Sequence, residues 1–204
     1  MKRVLWMGLL VGFGMQSSDA SAQFTNSLKF FSDEAGTSCS LNYTSAGVVS
    51  THVLMTGGRW SAAIQFSAVT PACWTGAVWV GDDFPGPFIR EGSTQDPVDG
   101  LALAIGCQSM PFHAGVIYHY VSDVSASCCP YAPGPAYSVF LNGMLVKRII
   151  ATIGCEPGVP LIVDSVASEM QGVGLTVNAN PSCPCDLPVA TAATTWGRVK
   201  ALYR

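Results

Sequence analysis

Apolar residues alternate with polar ones in short bursts along this chain, and they hardly ever recur at three- and four-residue steps. The clearest burst is 59–69, RWSAAIQFSAV. There Trp60, Ala62, Ile64, Phe66 and Ala68 share one parity and Arg59, Ser61, Gln65 and Ser67 the other, the period of a strand with one dry and one wet face. Residues 47–56, GVVSTHVLMT, precede it across Gly57-Gly58, and two such runs joined by a glycine turn predict an antiparallel pair. Residues 28–31 and 77–81 offer further short strands. Residues 101–105, LALAI, are apolar throughout but small on one parity, which predicts a closely packed neighbour on that side. Residues 114–121, AGVIYHYV, are apolar on both faces and read as a central strand. Residues 139–141 and 144–150 flank Asn142-Gly143, a favoured two-residue hairpin turn. Segments 161–166 and 174–177 are the last candidates.

Repeated short strands punctuated by 21 glycines and 13 prolines, with no amphipathic helical run inside the body, predict an all-β fold. The expected form is an antiparallel two-sheet β-sandwich with minor helix at the termini, a closed barrel being the alternative. Three stretches, 82–99, 122–135 and 178–188, read as long loops, the usual place for binding on a rigid sandwich.

The first residues do not belong to that body. Lys2 and Arg3 precede an apolar run over 4–15, and Ala20-Ser21-Ala22 has the small-x-small form that signal peptidase accepts. The run is shorter than the roughly 20 residues a membrane span needs, so residues 1–22 read as a cleaved signal peptide. The sandwich is then expected over 23–186, a Pro/Ala/Thr linker over 187–193 and a distinct tail over 194–204.

Charge narrows the partners. Beyond residue 22 the chain holds 8 Lys/Arg against 12 Asp/Glu, too acidic a balance to neutralise a run of phosphates, so nucleic acid and anionic membrane surfaces are both disfavoured. All eight cysteines, Cys39, Cys73, Cys107, Cys128, Cys129, Cys155, Cys183 and Cys185, follow the signal segment. An even count in an exported chain reads as disulfides. Adjacent Cys128 and Cys129 should diverge, because a bond between neighbours is strained. Cys183 and Cys185 would share one side of an extended chain and so should reach two different partners.

Candidate chemistry is thin. No G-x-S-x-G elbow accompanies His52, His113 and His119, which leaves a triad built on His113 as the only hydrolase reading. His113 and His119 share a parity, but a zinc site there lacks a third ligand. Asp82, Asp83, Asp96 and Asp99 supply oxygens for calcium if their loop folds back, though without the spacing of a calcium hand. No cofactor is expected. Trp74, Phe84, Phe88, Tyr131 and Tyr137 lie in or beside Gly/Pro-rich loops, where their rings are candidates to stack on a carbohydrate or fill a protein partner's pocket. Trp79 reads as core.

The ending TTWGRVKALYR carries three of the ten Lys and Arg residues in its last seven positions. Trp196, Val199 and Tyr203 would line one face of a short helix, with Arg198, Lys200 and Arg204 beside them; a helix this short needs a surface to order it. That surface is either the protein's own sandwich or a receptor. The T-x-W-G-x-V-K-x-x-Y-R ending, with LKFFSDEAGTSCS near the mature start, resembles a group of uncharacterised exported bacterial proteins that pair a cohesin-like or immunoglobulin-like sandwich with a Trp-Gly-x-x-Lys tail. The resemblance implies export, and a tail read by export or surface-anchoring machinery. It brings no catalytic residues. The function expected is that of a non-catalytic surface or extracellular binding module; a secreted hydrolase and a structural subunit joined through sheet edges are the alternatives.

Overall fold

The structure, a computed structural model, describes residues 26–86, 89–158, 163–166, 175–183 and 185. Among them are thirteen strands and no helix. In the first sheet β1 (Ser27–Phe31), β3 (Gly47–Thr56), β8 (Phe112–Val121) and β5 (Ala77–Asp83) lie in that order, every pair antiparallel. The second sheet runs β10 (Tyr137–Leu141), β11 (Met144–Gly154), β4 (Ser61–Phe66), β7 (Leu101–Gln108) and β6 (Ile89–Gly92), with β12 (Val163–Val166) also paired to β11. A small third sheet sets β13 (Leu175–Val177) between β2 (Ser40–Leu41) and β9 (Cys129–Tyr131), the β2–β13 pair being parallel.

The first two sheets bury their facing sides in one core. Leu28 and Phe30 of β1, Val53 and Met55 of β3, and Ile117 and Val121 of β8 share it with Ile64 and Phe66 of β4, Leu101, Leu103 and Ile105 of β7, and Ile150 of β11. The Phe30 ring meets Phe66 edge-on at 6.5 Å across the gap. Each such side chain contributes about 1.5–3 kcal/mol by leaving water. Among the described residues both sheets have free edges, so the strands form two layers and not a closed barrel.

Two expectations need correction. The runs around Gly57-Gly58 are not paired: β3 lies between β1 and β8, and β4 between β11 and β7. Val53 and Met55 must face the same core as Ile64 and Phe66, and opposite layers satisfy both. The glycine turn therefore carries the chain across the sandwich, with Gly57 at φ 137°, where a Cβ would strain the backbone. The alternation of 59–69 also breaks early. Ser61 is buried and Trp60 exposed, because the β4–β7 register slips between Ser61 and Ala63. The Ser61 hydroxyl bonds Thr152 of β11, which satisfies it in the interior.

Ser67, placed on the wet parity, is likewise buried, its N–H donating to the Gly134 carbonyl at 2.9 Å; elsewhere the pattern holds. Central β8 pairs on both sides, and Asn142-Gly143 closes β10 onto β11 with both residues at positive φ, 52° and 78°. Trp79 is half-buried and packs on the core. Within the expected loops lie β6 and β9, strands too short to show a period. The minor helix expected at the termini falls outside the described residues.

Four disulfides close the described chain: Cys39–Cys185, Cys73–Cys129, Cys107–Cys155 and Cys128–Cys183. Cys128 and Cys129 diverge, and Cys183 and Cys185 reach different partners. Three of the four converge on the small sheet, whose eight residues could not hold a layer by backbone bonding alone.

Candidate functional site

The outer face of the second sheet carries a shallow trough of about 260 Å³. Cross-strand register explains it. One row across the sheet reads Ile153, Ala63, Ala104, Ile89 and the next Ala151, Gln65, Ala102, Glu91, from β11 through β4 and β7 to β6. Alanines on the two middle strands make a low floor, the isoleucines at either end make walls, and Tyr137 at the foot of β10 joins the lining. The small parity of LALAI is therefore this floor, while Leu101, Leu103 and Ile105 point into the core. The neighbour expected on the small side is not found among the described residues. Gln65 and Glu91 are the charged or amide side chains of the lining, and Gln65 donates to the Asp99 carbonyl at 2.8 Å.

Beyond Tyr137 the β10–β11 hairpin stands clear of the sheet. β4 pairs β11 only at 151–154 and β12 only at 150–153, so residues 144–149 of β11 have β10 as their strand partner. Phe140, Leu141, Met144, Leu145 and Val146 at its end are 50 to 70 % exposed. Such a run of large apolar side chains in water marks a contact surface.

The aromatic residues proposed from the sequence as a ligand platform are mostly elsewhere. Trp74, Phe84 and Tyr131 are buried, and their rings present no face to a ligand. The Trp74 ring lies 4.6 Å from His119 and 5.5 Å from Tyr131, and its Nε1–H donates to the Tyr43 hydroxyl at 2.8 Å. The Tyr131 hydroxyl donates to the Ala68 carbonyl at 2.8 Å, and burial, then Asp82, pushes its pKa up. The Cys73–Cys129 bond ties the segments bearing Trp74 and Tyr131 together, which brings the chain around Trp74 and part of the expected loop 122–135 onto the core. Tyr137 alone of the described set is at the surface. Phe88 and the tail residues Trp196, Arg198, Val199, Lys200, Tyr203 and Arg204 lie outside the described residues.

The polar candidates are also dispersed. His113 does not meet His119; its Nε2 lies 3.1 Å from Nδ1 of His52 on the outer face of the first sheet. Burial, then the neighbouring His113, lowers the His52 pKa. His119 is in the core with Nε2 3.0 Å from the Thr70 hydroxyl, and burial lowers its pKa to about 4. The four aspartates do not gather around a cation position. Asp82 is interior, paired with Arg90 at 2.6 Å and accepting from the Thr94 hydroxyl. Asp96 accepts the amides of Val98 and Asp99, which hold its carboxyl below the usual range. Among the described residues no group of three or more His, Cys, Asp or Glu side chains is placed to hold a metal ion.

With this geometry in view, no family model matches the chain, and it matches no curated protein and no solved structure. The surface features that sequence reading passed over are the trough and the hairpin end. The trough had one visible signal, the small parity of LALAI; the hairpin had FLNGMLV, a run apolar on both sides of its turn.

Proposed function

We propose that this chain is an exported, non-catalytic binding module: an immunoglobulin-like or cohesin-like sandwich delivered by residues 1–22, addressed by residues 194–204, and holding an apolar segment of a partner protein along the trough. The observation that carries the reading is the trough itself, an alanine floor between isoleucine walls on an open sheet face. Its chemistry favours protein over carbohydrate, because sugar recognition needs several fixed hydrogen-bonding groups around an aromatic platform. Here Gln65, Glu91 and the single ring of Tyr137 are what the lining supplies. Four disulfides fit an oxidising, extracellular setting. The hydrolase alternative loses its best base, since His113 bonds His52 and the trough is lined by neither histidine nor serine.

Ala104→Arg tests the reading, because Ala104 is exposed and a long cation there fills the trough without touching the core. On an array of short extended peptides graded in hydropathy, the wild type should retain apolar ones. The variant should retain them about tenfold less, a loss of about 1.4 kcal/mol, with unchanged melting temperature. Equal retention by both proteins, or none by the wild type, would overturn the proposal.

A further inference from the structure

We propose that the end of the β10–β11 hairpin is a lipid-contacting element, whose apolar side chains enter the interfacial layer of an anionic bilayer leaflet while Lys147 and Arg148 meet the phosphate headgroups. This surface is separate from the trough floor and does not depend on what the trough binds.

The first argument is the distribution of apolar side chains around the hairpin. Leu141 pairs with Met144 and Phe140 with Leu145. Successive cross-strand pairs point to opposite faces, so both faces of the hairpin end are apolar. A flat protein surface would cover one face, and an added strand would cover one edge. A medium that surrounds the end covers both. From Val139 to the turn the hairpin reaches roughly 10 Å at about 3.3 Å per residue, which matches the roughly 5–10 Å that interfacial apolar groups sink below the headgroups. At that depth headgroups and water still satisfy the unpaired backbone groups, which the hydrocarbon centre would not.

The second argument is the edge. A second copy could pair along β10 or along residues 144–149 of β11, but the register between them shifts at Val139/Phe140, with Val146 the extra residue on β11. A bulge twists an edge and spoils it as a template.

The third argument is charge. Between Asp123 and Glu156 the chain has no carboxylate, and its only charges are Lys147 and Arg148. Lys147 is exposed and, among the described residues, uncompensated, whereas Arg148 donates to the Pro97 carbonyl at 3.3 Å beside Asp96, whose carboxyl its charge helps to hold low, so it stands where the hairpin leaves the body with its charge partly offset. A chain of net charge −3 is repelled by an anionic surface as a whole, yet screening confines the interaction to about 10 Å. A surface approached hairpin-first meets the local positive charge. The other sheet ends lack this combination: β1 carries Lys29, β5 carries Asp82 and Asp83, and β6 carries Arg90 beside Glu91, none of them behind an apolar turn.

The test is flotation of the oxidised chain with vesicles of phosphatidylcholine alone or with phosphatidylglycerol added. Binding should appear with the anionic vesicles. The triple variant Phe140→Ser, Leu141→Ser, Met144→Ser should reduce it tenfold or more, Lys147→Ala about fivefold and Arg148→Ala less than that, the two cation variants only on anionic vesicles. Residues 4–15 are the same in every variant, so the difference reports the hairpin. Phe140→Trp, which keeps a ring at the hairpin end, should add a blue-shifted emission component when anionic vesicles are present. Mass under non-reducing conditions and a sheet-type circular dichroism spectrum establish that each variant is folded. Absence of wild-type binding, equal flotation of wild type and triple variant, or an emission spectrum of the Phe140→Trp variant that vesicles leave unshifted would overturn the proposal. So would a concentration-dependent dimer, formed without lipid and dissolved by the triple variant, which would assign the hairpin end to a second copy.

Discussion

The cluster around Trp74 and the end of the β10–β11 hairpin are both dense in large apolar side chains, and they have opposite fates. Trp74, Tyr131 and His119 sit in segments short of regular structure or near a strand end, yet all three are buried. Phe140, Leu141, Met144 and Leu145 sit in well-paired strands, yet all four are exposed. Backbone regularity does not decide burial; what lies over the side chain does. The Cys73–Cys129 bond and the Trp74–Tyr43 and Tyr131–Ala68 hydrogen bonds draw irregular chain onto the core. The hairpin has regular pairing, but among the described residues no layer lies above or below its end.

The largest break in that comparison should come from Trp74→Ala. Removing a fully buried indole costs about 3–5 kcal/mol. For a domain of this size that lowers the melting temperature by roughly 6 °C or more, at about 2–4 °C per kcal/mol, measurable by calorimetry.

Next comes pH. His119 is neutral in the folded core with its pKa lowered from 6.5 to about 4, so the unfolded chain takes up a proton that the folded one refuses. Its contribution is complete above about pH 6.5 and is lost as pH falls toward 4, a loss of about 3 kcal/mol. The carboxyls of Asp33, Asp96 and Asp123, held low by local hydrogen bonds, add further loss lower in the acid range. Denaturant titrations at stepped pH should show the slope, and His119→Gln should flatten it between pH 4 and 6.5. An unchanged slope in that variant would remove His119 as the cause.

Opening Cys107–Cys155, which joins the end of β7 to the residue just after β11 on either side of β4, should cost about 2–4 kcal/mol. The paired Ser variant in a urea melt checks it. The smallest effect belongs to the hairpin: Leu141→Ser and Met144→Ser should each shift stability by less than about 0.5 kcal/mol. A drop comparable to that of Trp74→Ala would mean that the hairpin end is packed in solution after all.

Most strands, the Asn142-Gly143 turn and the divergence of the cysteine pairs were readable from local chemistry, because each is set by residues a few positions apart. The pairing of β3 with β4 was misread because a glycine turn looks the same whether it joins neighbours or changes layer. Ser61 was assigned to the wet face because a register slip leaves no mark in the alternation. The trough was invisible for a different reason. Its floor joins Ala63, Ala102 and Ala104 from two strands, and only their register makes three ordinary alanines into one surface. The aromatic platform was misplaced because proximity to Gly and Pro describes the chain's path, while the disulfide that buries Trp74 joins residues 56 apart.

The lacing of the sulfurs has one more consequence. Cys39–Cys185 spans 146 positions, and the other three bridges lie within it and overlap in turn, 73 to 129, 107 to 155 and 128 to 183. A single protease cut anywhere between Cys39 and Cys185 therefore releases no fragment: the two pieces stay covalently joined and can close again around the same interior. In an oxidising setting, where the bridges persist, such a molecule is damaged without being dismantled.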